Sequence, residues 1–131
     1  MVSYEWRGPF RNAELSALHA AGFGLPARGH DWQAQVREHS LGWVCARDSA
    51  GLAGFVNVAW DGAAHAFLLD TVVAPRLRHQ GAGTRLVEVA AGQARAAGCA
   101  WLHVDFEPAL GPFYWDNCGF RPTSAGLLPL R

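Results

Sequence analysis

The stretch from Ala66 to Gly98 sets the narrowest limit on what this chain can fold into. Ala66–Ala74 is a long apolar run stopped by Pro75, and it reads as a strand covered on both faces. A polar loop carrying Arg76 and Arg78 follows, then Gly81-Ala82-Gly83. Leu86, Val87, Ala90, Ala91, Ala94 and Ala97 then recur at helical spacing, with Gly98 as the stop. Trp101–Phe106 reads as the next strand. A strand, a crossover helix and a strand in that order lie parallel in one sheet.

The segments before this unit have a different period. Tyr4–Arg7 reads as a short first strand. Asn12 is placed as the N-cap of a helix through Leu15, Leu18 and His19 to Gly22, and Asp31 as the cap of a second, through Val36 to His39. Trp43–Arg47, the turn Asp48-Ser49-Ala50-Gly51 and Leu52–Trp60 read as a hairpin, and Asp61-Gly62 as another turn. Phe113–Cys118 is a short helix ended by Gly119, and Phe120–Leu130 is read as an irregular last strand. The expected fold class is mixed α/β: a mostly antiparallel central sheet with one parallel pair and helices on both faces. No linker divides the chain, so residues 1–131 are read as one domain.

Charge removes several function classes. Eleven basic residues balance eleven acidic ones, which disfavours a dedicated nucleic-acid or anionic-membrane binder. Every basic residue is Arg, so a P-loop lysine, a Schiff-base lysine and a lysine base are all excluded. Cys45, Cys99 and Cys118 form no Cys-x-x-Cys pair, so neither a disulfide scaffold nor a metal site is expected. The N-terminus lacks a basic-then-apolar signal pattern and no apolar run is long enough to span a bilayer, so a cytoplasmic protein is expected.

The chemistry concentrates in the glycine loop. Gly81 and Gly83 let backbone amides approach a ligand, and the start of the following helix adds free N–H donors and partial positive charge. Together they suit an anion such as a diphosphate, with Arg78 and Arg76 available for charge-assisted contacts. Three readings compete: a purely structural strand-to-helix turn, a dinucleotide site, and an acyl-CoA site. Leu86 stands where a dinucleotide fingerprint has its third glycine, and the glycines lie well past the strand end.

Arg78-x-x-Gly81-x-Gly83, preceded by Val73-Ala74-Pro75, resembles the acyl-CoA signature of the GNAT superfamily of N-acetyltransferases. Phe113-Tyr114-Trp115-Asp116-Asn117-Cys118-Gly119-Phe120 is similar to the last-helix segment of that family, and the element order from Tyr4 to Leu130 fits it. The resemblance implies two parallel strands that splay to admit pantetheine. It implies that Arg78, His79, Gln80, Gly81, Ala82, Gly83 and Thr84 hold the diphosphate of acetyl-CoA. Thr71, Val72 and Val73 then offer strand backbone to pantetheine and the acyl carbonyl. No metal is implied. The acceptor is a small-molecule or peptide amine, and a homodimer is left open.

The resemblance also marks departures. The family's acid is commonly a Tyr four residues before the Gly of Gly-Phe; that slot holds Trp115, and Tyr114 lies one residue earlier. For the base, His103, Asp105 and Glu107 alternate on one face of the fifth strand, with His103 and Glu107 preferred and Asp70 a further candidate. The Asn common after that strand is replaced by Glu107-Pro108. Trp6, Phe23, His30 and Trp32 are candidates to line the acceptor pocket. Two alternatives remain: a non-catalytic acyl-CoA-binding or sensing module, and a dinucleotide-binding domain using the same loop.

Overall fold

The computed structural model describes residues 1–131. In chain order it contains β1 (Ser3–Trp6), α1 (Asn12–Phe23), α2 (Trp32–His39), β2 (Ser40–Asp48), β3 (Gly51–Trp60), β4 (His65–Val73), α3 (Ala82–Ala96) and β5 (Trp101–His103). Two aspartates build the hairpins. Asp48 Oδ1 accepts from the Ala50 amide between β2 and β3, and Asp61 Oδ1 accepts from Ala63 and His65 between β3 and β4. The strands lie in the order β1-β2-β3-β4-β5, antiparallel except for β4 and β5.

Alternation along the strands feeds two cores. Cys45, Phe55 and Val72 pack under α1 and α2 with Leu15, Leu18, Trp32 and Val36. Val44, Val56, Val58 and Leu68 pack under α3 with Leu86, Val87, Ala90 and Ala94. Helices on both faces of a mixed sheet were the expected architecture. No helix is long and apolar enough to cross a membrane.

Three expectations need correction. Asn12 does not cap α1. Arg11 takes the cap position, and its amide donates to Glu14 Oε1 at 3.0 Å. Asn12 instead bridges the helices, its side chain accepting from the Gln33 amide and donating to Asp31. Asp31 does cap α2, accepting from Ala34 N. Second, β5 stops at His103, not at Phe106. Third, Phe120–Leu130 forms no strand: residues 119–131 have no regular structure, and Leu127, Leu128 and Leu130 are exposed. The last two share a cause. Pro122 and Pro129 lack ladder donors, so no sixth strand covers the outer edge of β5, and a strand paired on one side only ends early.

Candidate active site

The sheet opens along the edge of β4. Its parallel pairing with β5 covers only His65–Phe67 against Trp101–His103, yet β4 continues to Val73. Past that pairing, β4 carries a bulge against β3. Phe55 of β3 pairs with Val72 and Asn57 with Leu69, so β4 carries one extra residue between them. Asp70 absorbs it with φ of +56°, a left-handed conformation uncommon for a residue with a side chain. Asp70 and Val72 therefore meet α1, and Thr71 faces the opposite side of the sheet. Past His103, the chain from Val104 to Phe106 pairs with neither neighbour. An unpaired strand edge is a ready acceptor for an extended group.

At the end of β4 the loop tightens. Pro75–Leu77 makes one 3₁₀ turn with Leu77 buried beneath it, and His79 and Gly81 take left-handed φ of +63° and +81°. Gly81 caps α3 with no side chain, and no atom lies within 4 Å of where its Cβ would be. The first amides of α3, at Ala82, Gly83 and Thr84, have no acceptor inside the helix, and no acidic residue occupies the first turn. Gly83 packs closely: a Cβ there would sit 3.1 Å from the Phe113 ring.

The two loop arginines are engaged in bracing. Arg78 Nη2 donates to the Gly22 carbonyl at 2.7 Å, which anchors the loop to the end of α1. Gly22 is required there, because a Cβ would meet Val72 Cγ2 at 2.1 Å. Arg76 makes a two-pronged pair with Asp48 and holds that carboxyl at about 2, well below its ordinary range. Gln80 bonds the Arg76 carbonyl. The free surface of the loop is thus backbone, shaped by side chains that point away.

Below the helix start, Pro112–Asn117 forms a π-helical turn. Within it Tyr114 is buried and Trp115 is exposed. Tyr114 stacks on Phe106 at 4.6 Å and meets Phe113 and Phe120 edge-on. Burial raises its pKa, and the Thr71 side chain beside its hydroxyl offsets part of that rise. The phenol is therefore protonated near neutral pH and stands at the open edge of β4.

The sequence from residue 5 to residue 120 matches the model of the Acetyltransferase (GNAT) family. The chain belongs to that family. A search of curated protein sequences found no match. Among solved structures, a protein of unknown function from meticillin-resistant Staphylococcus aureus superposes with a TM-score of 0.82 at 18% identity, covering 100% of this chain and 99% of that one. A GNAT family acetyltransferase from Streptococcus pneumoniae TIGR4 gives 0.78 at 19% identity, covering all of both chains. The AAC(6')-Iy structure, in complex with a CoA-linked bisubstrate analogue, gives 0.73 at 16% identity, over 100% of this chain and 98% of that one.

Within this GNAT chain the remaining candidates are scattered. His103 lies at the last paired position of β5, exposed, stacked on Phe67 at 4.7 Å and bonded through Nε2 to His65 at 2.7 Å. Glu107 is exposed at the start of a 3₁₀ turn, and the predicted alternation holds: Leu102, Val104 and Phe106 pack toward α3. Trp32 and His30 meet edge to face at 4.7 Å, and Phe23 lies near them across His19. Trp6 does not join this group; it sits on β1, at the far end of the sheet from β5, against Gly42. A surface cleft of about 570 Å³ runs between α1 and residues 27–31 and includes no residue of the glycine loop. Burial pushes the thiol of Cys45 up to about 12 and that of Cys118 to about 11, so neither is a thiolate near neutral pH. Sequence reading missed His19, which it placed only in the apolar stripe of α1; nothing local marks its proximity to Asp70.

Proposed function

We propose that this GNAT protein transfers an acetyl group from acetyl-CoA to a primary amine by direct attack. One observation carries the reading: a glycine-opened, uncapped helix start lies at the end of a strand whose partner has fallen away. The amides of Ala82, Gly83 and Thr84, with open space above Gly81, fit a diphosphate, and His79, Gln80 and Arg78 shape the rim around it. Pantetheine, lying along Thr71, Val72 and Val73, replaces the missing strand in the manner of β-augmentation. Acetyl-CoA supplies an activated thioester. The protein's part is to hold it extended, place an N–H of the β4 edge at the carbonyl oxygen, and deliver protons.

Tyr114 is assigned as the acid that protonates the departing thiolate. The π-helical turn supports this: it brings a Tyr one residue off the common slot to the β4 edge, and burial keeps its proton on. With Cys45 and Cys118 protonated, direct attack is favoured over transfer through either thiol. His103, at the last pairing, and Glu107, beyond it, are both exposed and serve the acceptor's approach. The acceptor is a small-molecule or peptide amine. A homodimer that covers exposed Leu127, Leu128 and Leu130 belongs to the same reading, and light scattering at two concentrations tests it.

The decisive assay titrates acetyl-CoA by calorimetry and follows free-thiol release with a panel of primary amines. Binding with turnover is expected. Binding without turnover for any amine favours the acyl-CoA sensing module, and failure to bind overturns both.

A further inference from the structure

Asp70 and Thr71 point to opposite faces of β4, as consecutive strand residues do, and the bulge shifts that alternation so that Asp70 and Val72 share the α1 face just past the last β5 pairing. Thr71 reaches Tyr114, the acid assigned above. Asp70 reaches His19 of α1, its Oδ1 lying 3.6 Å from Nε2. The side chains of His19 and Asp70 are 17% and 31% exposed, so the pair is sheltered but open to solvent. His19 is held between rings: Phe23 at 4.6 Å and Trp32 at 5.1 Å. Trp32 is itself fixed, donating through Nε1 to Ser16, which donates to the Arg28 carbonyl.

From this arrangement we infer that His19, supported by Asp70, is the base that takes the proton of the acceptor amine; the inference rests on the acetyltransferase reading above. Three features separate the pair from an ordinary helix-to-sheet tie. The Glu14–Arg47 pair closes at 2.7 Å with two hydrogen bonds, whereas His19 and Asp70 stay at 3.6 Å, outside hydrogen-bonding distance. Asp70 holds its place in a left-handed conformation that costs backbone energy, and such strain gathers at functional sites. The pair also stands across one strand edge from the only other sheltered proton donor there, Tyr114.

The chemistry divides cleanly between the two faces. An alkylamine arrives as ammonium, drawn by the Asp70 carboxylate and the exposed Phe23 ring. The imidazole takes one proton through the nitrogen turned away from Asp70, and the carboxylate stabilises the imidazolium. The amine lone pair then forms the N–C bond as the carbonyl electrons move to oxygen. Collapse breaks the C–S bond, and Tyr114 gives its proton to the leaving sulfur. The amide nitrogen returns a proton to the Tyr114 phenolate, and His19 releases its own to solvent. One ammonium and one thioester become one amide, one thiol and one free proton. Asp70 acts through His19 and is a positioning residue.

The test compares His19→Ala, His19→Gln and Asp70→Asn with the wild type in thiol release, each with a melting curve and an acetyl-CoA titration. Asn is chosen because it tolerates left-handed φ. The charged and titratable groups facing His19 are Asp70 from β4 and, beyond Trp32, His30 and Arg28. The inference expects kcat to fall about 100-fold in both His19 variants and about tenfold in Asp70→Asn, in line with general-base catalysis. Acetyl-CoA affinity should stay within twofold. The acid limb of the kcat/KM profile should vanish in the His19 variants, and added imidazole should restore His19→Ala in part. Full kcat with an unchanged pH profile in His19→Gln overturns the inference and leaves the acetyltransferase reading standing. A wild type that binds acetyl-CoA but turns over no amine overturns both.

Discussion

The hairpin of β2 and β3 and the parallel pair of β4 and β5 belong to one sheet but behave as opposites. The hairpin strands pair from Ser40 to Asp48, and Val44, Phe55, Val56 and Val58 have no exposed surface at all. The parallel pair runs for one short stretch and then parts, leaving the bulge at Asp70 and a free edge to Val73. The first region supplies the rigidity that lets the second remain unfinished. A strand edge left open is a liability unless something occupies it. Here the loop, the π-helical turn and the end of α1 converge on that edge.

Substitutions should separate the two regions by what they damage. Phe55→Ala empties a fully buried site in the hairpin and should cost about 3–5 kcal/mol of stability, read by denaturant unfolding. Acetyl-CoA affinity should fall only as the folded fraction falls. Tyr114→Phe should do the reverse: thiol release about 100-fold slower, worth about 2.7 kcal/mol of barrier, with a melting temperature near that of the wild type. Equal turnover would remove Tyr114 from the mechanism.

Smaller effects sharpen the contrast. His79→Asp keeps a residue type that accepts left-handed φ and puts negative charge beside the helix start. Its acetyl-CoA Kd should rise about tenfold, or about 1.4 kcal/mol, with the fold intact. Gly83→Asp is a poorer probe of the same surface, because its Cβ would sit 3.1 Å from the Phe113 ring and disturb the packing as well as the charge. An unchanged Kd in His79→Asp would place the diphosphate elsewhere.

The smallest effect concerns Glu14, which joins α1 to β2 through Arg47. The hydrogen bonds from Arg47 hold the Glu14 carboxyl at about 2, below its ordinary 4.5. A depressed carboxyl pKa contributes stability above pH 4.5 that is lost as pH falls toward 2. Glu14→Gln should therefore be less stable than the wild type by about 1 kcal/mol at pH 7. The gap should close between pH 4.5 and 2 in urea titrations. A gap that persists at pH 2 would show that the variant acts by another route.

Much of the fold was legible because it is written in periods and caps. The hairpin turns at Asp48 and Asp61, the Asp31 cap, the stripe of α3 and the strand-loop-helix crossover are all local, and each stands where the spacing put it. The glycines that open α3 were legible for the same reason, while the left-handed conformation of Gly81 is seen only in the structure. Misreadings occurred where a residue had a distant partner. Asn12 has good capping chemistry, but α2 supplies its partners instead. Arg78 looked available to an anion, and the end of α1 claims it. Residues 104–106 had strand character but no strand to pair with.

By itself, the sequence determined the order of elements from β1 to β5, the two amphipathic faces, the donor-rich start of α3 and its family. These depend on side-chain spacing and on glycine and proline stereochemistry, which act within a turn or two. Only the tertiary structure decided that Asp70 carries the bulge, that His19 meets it, and that a π-helical turn faces Tyr114 inward. Each of these is a registration between segments far apart in the chain. Such registration is set by the packing of whole elements, which no local pattern records.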